Sequence, residues 1–241
     1  MRHYVLAMIV GLLSAAPAVT QLASDPLAPL VIVTDRPDAT VVARGYRPAS
    51  PDVFLTVAID AGVTVYDARW RRVSAADLAD PRVVAIAATT AGLDPVAKLG
   101  AIHAAVRRQI AWRRDLDGYR VSDYWAQAGE TLDRGYGDSE DIAILKMQAL
   151  KAAGFSPRDI YLSVGRDSAR GADTLLLVRA GGRFYALDDR AERPLTPEQH
   201  ARFIPVITLG KGSAWLHGKR YAGAAMRSKT RVIPASLSIR R

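Results

Sequence analysis

Between Asp94 and Asp115 the apolar residues Val96, Leu99, Ile102, Val106 and Ile110 recur at intervals of three and four. That is the spacing of one helical stripe, and Lys98, Arg107, Arg108 and Gln109 fall mostly outside it. Asp94 followed by Pro95 supplies an N-cap and a first-turn proline, so a helix is predicted over 94–115. A second helix is predicted over 139–153. Its apolar line is Ile142 or Ala143, Met147 and Leu150, broadened by Ile144 and Leu145, with Gly154 where a left-handed cap would sit. Beyond it the period drops from 3.6 to 2. IYLSVGRD (160–167), DTLLLVRA (173–180) and GRFYALDD (182–189) read as strands, the first two joined by a polar turn and the last two by Gly181-Gly182. FIPVITLG (203–210) and AWLHGKRY (214–221) add one or two more. Helices first and antiparallel strands after give an α+β class rather than alternating α/β.

The earlier segments are less regular. VFLTVAID (53–60) fits a strand or a buried helical turn, and Ser74 before AADLAD offers a helix start. Residues 4–23 carry no charge, follow Arg2 and contain Ala16-Pro17-Ala18, so residues 1–18 are predicted to be a cleaved secretory signal. The competing reading is an uncut anchor of just sufficient length. The expected organisation is therefore a signal over 1–18, a loosely structured lead-in over 19–52, one domain over 53–222 and a basic tail over 223–241. On this reading the mature protein is periplasmic or secreted and has no membrane span.

Composition narrows the chemistry. The chain of 241 residues has no cysteine, which excludes disulfides, thiolate nucleophiles and cysteine metal sites. Its net charge is +9, and from Lys211 onward there are eight Lys or Arg residues and no acid. Such a balance favours an acidic partner. No aromatic ladder or nucleic-acid module accompanies it, so nucleic acid is not expected. A plain solvated face accounts for the same charge.

The densest chemistry lies in GYGDSEDIAILK (135–146), where Ser139 opens a helix among Asp138, Glu140 and Asp141. A thiolate is favoured at such a position by the free N–H groups and the helix dipole, whereas a serine hydroxyl stays protonated and needs a neighbouring base. The four histidines are His3, His103, His200 and His217. None falls on the strands expected opposite Ser139. His200 reads as part of a polar loop and His217 as a packed or surface residue. Trp70, Trp112, Trp125 and Trp215 read as buried indoles of the core.

Three blocks, DYWAQAGETLDRGYGDSEDIAILKMQALKAAGF, RGADTLLLVRAGGRFYALDD and FIPVITLGKGSAWLHGK, occur in this order. Together they resemble the bacterial transglutaminase-like cysteine peptidase family, which includes periplasmic proteases that trim biofilm adhesins. The resemblance implies a papain-like, transglutaminase-like core with helices packed on an antiparallel sheet. It places the family's cysteine at Ser139, its histidine at Asp173 and its triad aspartate at Asp188. The flanking acids Asp138, Glu140 and Asp141 match positions that contribute to a calcium site in that family.

Two of the three catalytic positions are thus changed. Without an imidazole, Asp188 has nothing to orient, and a carboxyl at Asp173 is a weak acceptor for a serine proton. The expectation is a catalytically inactive, exported relative that binds a peptide or protein, an acidic one being favoured. The alternative is a hydrolase that uses Ser139 with a non-standard base. For the acidic turn, Ca2+ bound by Asp138, Glu140 and Asp141, with Asp123 or a carbonyl in support, competes with simple N-capping.

Overall fold

A six-stranded sheet forms the frame. The computed structural model describes residues 48–75 and 80–219. The expected signal over 1–18, nearly all of the lead-in, part of the AADLAD stretch and the basic tail over 223–241 lie outside the described residues. Strands β1 (Val57–Asp60), β4 (Ile160–Asp167), β5 (Gly171–Ala180), β6 (Arg183–Leu187), β7 (Phe203–Gly210) and β8 (Ser213–Gly218) align in the order β1-β8-β7-β4-β5-β6, every neighbour antiparallel. β5 and β6 are joined by Gly181 and Gly182 at φ +56° and +79°. Two successive positive φ values are what a tight hairpin between twisted strands needs and what glycine adopts without strain. β4 carries an irregularity between Val164 and Gly165 where it pairs with β7. There a Cβ on Gly165 would overlap the Ile204 carbonyl oxygen.

The helices are α1 (Asp67–Ser74), α2 (Pro81–Ala88), α3 (Pro95–Gln109), α4 (Asp115–Gly118), α5 (Ala128–Arg134) and α6 (Ser139–Ala152). Their starts follow from local chemistry. Asp94 accepts from the N–H groups of Val96 and Ala97, and Pro95 occupies the first turn. Gln127 and Glu130 form a reciprocal capping box on α5, and Gly135 closes it at φ +68°. α6 ends as its sequence predicts, with Gly154 at φ +91° and the Phe155 N–H bonded to the Leu150 carbonyl at 3.0 Å.

α6 is buried on nearly every side from Asp141 to Leu150, not along a single stripe. Residues of β4 and β5 such as Leu162, Leu176 and Val178 cover it from the sheet, and Val83, Leu99, Ile102 and Val106 cover it from α2 and α3. The opposite sheet face carries a smaller cluster built on Tyr161, Leu175, Leu177, Phe203 and Trp215. Burial of this extent makes an unpaired polar group costly. Gln148 accordingly donates to the Val73 and Ala75 carbonyls at 2.6 and 2.7 Å, and Lys146 donates to the Leu187 carbonyl at 3.2 Å.

Several expectations are corrected. The α3 helix stops at Gln109; Ile110 is extended, and Ala111–Trp112 forms β2, which pairs in parallel with β3 (Tyr136–Gly137). Val96 is exposed and lies off the buried stripe. Trp112 is half exposed, and its backbone pairing, not burial, fixes its place. Ser74 ends a helix instead of starting one, because α1 begins at Asp67, whose carboxylate accepts from the Thr64 N–H and hydroxyl. Residues 57–60 resolve as a strand, edge-paired to β8. The α+β class and the helix-on-antiparallel-sheet core stand as expected. Among the described residues no helix is long and apolar enough to cross a membrane.

Candidate functional site

The start of α6, the start of β5 and the turn after β6 converge, bringing together the three positions singled out in the sequence. Ser139, Asp173 and Asp188 are all at least nine-tenths buried. The Ser139 hydroxyl stands beside the Asp173 carboxyl and favours its charged form, while Asp173 Oδ1 accepts from the Thr174 N–H at 3.1 Å. Asp173 in turn accepts from Arg190 Nη1 at 3.0 Å. Burial raises the Asp173 pKa and the Arg190 guanidinium opposes that rise, leaving it above the ordinary carboxyl range.

Asp188 is not left without an imidazole. Its Oδ2 lies 2.7 Å from Nε2 of His200, while its Oδ1 accepts the Arg190 N–H at 2.9 Å. Burial works against the charged carboxylate, but the His200 hydrogen bond, the Arg190 N–H, Asp189 and the His200 charge together outweigh it and hold Asp188 well below its usual range. For His200, burial works against the imidazolium, and the Asp188 hydrogen bond together with the Asp188 and Asp173 charges overrides it, raising the pKa. His200 is buried, with Phe54 and Phe203 packed edge-on against its ring. The expected polar-loop residue is therefore a wedged partner of Asp188. Among the described residues no imidazole or amine hydrogen-bonds Ser139.

The other two described histidines are committed elsewhere. His103 donates to the Ala191 carbonyl at 2.8 Å. His217 is bound between Thr56 and Thr208 hydroxyls at 2.7 and 2.8 Å, a packed residue as its sequence context suggested. Beneath the turn after β6, Asp189 lies near the fully buried Lys146 and is raised to about 7, by burial first and then by Asp188. Around the triad positions the buried carboxyls Asp173, Asp188 and Asp189 thus face three cationic groups, Arg190, His200 and Lys146.

The adjacent acidic turn has no such balance. Asp138 caps α6, its Oδ1 accepting from the Glu140 and Asp141 N–H groups at 3.1 and 3.4 Å. Carboxylate oxygens of Asp138, Asp141 and Asp115 all lie within 4.8 Å of one another. Oδ1 of Asp115 and Oδ2 of Asp141 are buried without a hydrogen-bond partner. Burial pushes the Asp141 carboxyl up to about 7, and burial and neighbouring acids raise Asp138 and Asp115 as well. Gly137 makes room for this arrangement. A Cβ there would stand 2.5 Å from Asp141 Cβ and 2.8 Å from its Oδ2.

Of the three acids expected as metal ligands, Asp138 and Asp141 meet, whereas Glu140 turns aside to accept from the Thr174 hydroxyl at 2.9 Å. Asp115 takes the third place. Asp123, the expected support, is instead ion-paired with Arg69. Asp115, Arg190 and His200 were not singled out in the sequence. A local signal existed only for Arg190, two residues from Asp188. Asp115 and His200 reach the site through loops whose course no periodicity reveals.

A helix N-terminus abutting antiparallel strands, with Ser139 on α6, Asp173 on β5 and Asp188 in the turn after β6, agrees with the papain-like core expected from the sequence. Residues 79–199, half of the chain, match the bacterial transglutaminase-like cysteine proteinases (BTLCP), and the chain belongs to that family. Three structures of Legionella pneumophila LapG match at 19% identity. An EGTA-treated form covers 56% of this chain and 74% of its own at TM-score 0.50, and a second form covers 55% and 72% at 0.49. A calcium-bound form covers 66% and 93% at 0.47. No curated protein matches the chain.

Proposed function

We propose that this chain is a non-catalytic, exported member of its family, a protein- or peptide-binding module that keeps the fold and a bound cation but does not cleave. One observation carries the reading: the group facing the Ser139 hydroxyl is a carboxyl tied to Arg190, while the nearest imidazole of the turn, His200, is spent on Asp188. Acyl transfer from serine requires a base that takes the hydroxyl proton and returns it to the leaving group. Asp173 is poorly suited to that task. The Arg190 guanidinium on Oδ2 and the Thr174 N–H on Oδ1 both favour the carboxylate and so oppose its taking up the serine proton. Hydrolysis with a non-standard base finds no second candidate among the described residues.

The acidic turn fits a hard cation such as Ca2+. Oxygen-only donors, two of them buried and unpartnered, and the absence of a paired cation among the described residues are the conditions under which a divalent ion relieves repulsion. Asp115, Asp138 and Asp141 would hold it, and it would supply positive charge that fixes the loop before α6 against the start of that helix. The partner we infer is an acidic protein segment, supported by the net charge of +9. The charge-free N-terminal stretch supports a periplasmic or secreted location.

The test incubates the purified chain with acidic adhesin-type polypeptides, with Ca2+ and with chelator, following both binding and cleavage. Binding without turnover, unchanged in S139A, is the expected result. Turnover by the native chain that vanishes in S139A overturns the proposal.

A further inference from the structure

A half-enclosed cavity of about 820 Å3 opens between α1, the C-terminal half of α6 and the β7–β8 hairpin. Its size lies within the range of clefts that hold small ligands. Trp70, Met147, Ile160 and Leu209 give it an apolar wall. The Trp70 indole is fixed there by its N–H bond to the Gly210 carbonyl at 3.0 Å. This cavity is separate from the Ser139 site and has no part in the reading above.

Its polar groups are predominantly cationic. Arg71, Lys151 and Lys211 all line it. Lys151 Nζ donates to the Ser74 carbonyl at 2.7 Å, and Arg71 Nε donates to the Asp67 carbonyl at 3.3 Å. Among the described residues no carboxylate pairs with any of the three. Asp67, the one acid of the lining, accepts instead from the Thr64 N–H and hydroxyl at 3.1 and 2.6 Å. Lys151 is the informative member. Burial and then the nearby Lys211 lower its pKa to about 8, so a partly desolvated ammonium stands at an apolar wall with another cation beside it. Buried charges are ordinarily paired.

We propose that this cavity is a binding site for a single-chain amphipathic anion, a medium-length fatty carboxylate free in solution. Its headgroup would sit between Lys151, Arg71 and Lys211, and its alkyl chain would lie along Trp70, Met147 and Leu209. An anion there would restore charge balance, and the chain would cover apolar surface that water now meets. A neutral alcohol would satisfy only the second condition and a cationic amphiphile would oppose the first.

Decanoate titrated into the full chain tests this, read by tryptophan fluorescence and thermal unfolding, beside decanol and decyltrimethylammonium. Saturable decanoate binding at one site is expected, with decanol at least tenfold weaker and the cation not bound. K151M should weaken decanoate binding about tenfold, equivalent to about 1.4 kcal/mol. Because that variant removes a partly desolvated, unpaired charge, its unfolding temperature should not fall. If K151M fails to fold, the surface variant R71M/K211M carries the same comparison and should also weaken binding. No saturable binding, equal binding of all three amphiphiles, or a native-like affinity in the charge variants would overturn the proposal. So would capture by anionic phospholipid vesicles without decanoate binding, which would assign the cations to a membrane surface.

Discussion

Arg190 reaches Asp173 with its guanidinium at 3.0 Å, and its own backbone N–H closes on Asp188 at 2.9 Å, so one residue clasps both carboxyls. The Asp173 side chain is almost wholly buried and Arg190 about one-fifth exposed. Between Ser139 and Asp188 this chain has a buried carboxyl that needs a cation of its own. Arg190 supplies it.

Removing Arg190 therefore strands a buried carboxyl. R190M should destabilise the fold by roughly 3 kcal/mol, the scale for breaking a buried pair. Without the guanidinium, Asp173 must be protonated when folded, so its folded pKa rises further above the unfolded value. The deficit should accordingly grow as pH rises beyond about 4. Urea unfolding at pH 4 and pH 7 measures it. D173N/R190M should recover most of the loss, because no charge then remains to be paired.

The His200–Asp188 pair has its own pH window. The folded pKa of His200 is raised, so its contribution is complete below the unfolded value of about 6.5 and is lost as pH rises through the folded one. That of Asp188 is depressed, so its contribution is present above about 4 and lost as pH falls through the folded value. The stability difference between the native chain and H200Q should peak between about pH 4 and 6.5 at about 2 kcal/mol, the scale of a charged hydrogen bond, and shrink on either side. A difference that stayed constant from well below pH 4 to well above pH 6.5 would show that the pair is not ionic.

These relationships divide sharply by how local their causes are. The Asp138 cap, the start of α3 at Asp94 and Pro95, the left-handed Gly154 and the Gly181-Gly182 hairpin each depend on a few adjacent residues, and all were legible in the sequence. The end of α3 at Gln109 was not, because the apolar period continues through Ile110 and only pairing of Ala111–Trp112 with Tyr136–Gly137 turns the chain. Asp115 sits 23 residues before Asp138, and the turns that return it to α6 carry no periodic signal. His200 likewise looks polar in its loop until Phe54, more than a hundred residues away, is placed against its ring. The resemblance pointed to Ser139, Asp173 and Asp188 but not to the contacts they make.

Calcium should raise the unfolding temperature. A ligand that binds only the folded state at a hundred times its Kd contributes about 2.7 kcal/mol, which for a chain of this size is roughly 5–10 °C. D115N should abolish most of that shift. E140Q should retain more of it, because the Glu140 carboxyl is engaged by Thr174. G137A should reduce both the shift and the basal stability, since the added methyl displaces the Asp141 carboxyl. Calorimetry with Ca2+ and with EGTA separates the four proteins, and equal shifts in D115N and the native chain would remove Asp115 from the site.

Reinstating a thiol and an imidazole at the two altered positions should not by itself restore reactivity. In S139C/D173H the introduced imidazolium would face Arg190, whose cation disfavours it, and Asp188 would remain engaged by His200 at 2.7 Å. The introduced thiol would then lack the charged partner that lowers a cysteine pKa. Adding R190N and H200N removes the competing guanidinium and frees Asp188 to orient the new imidazole. The pH dependence of iodoacetamide alkylation reads the outcome directly. S139C should react with an apparent pKa above the ordinary thiol value of about 8.5, because the neighbouring Asp173 opposes a thiolate. S139C/D173H should fall only slightly, and the quadruple variant should fall well below it. A double variant already as reactive as the quadruple one would show that Arg190 and His200 do not hold the site in its present state.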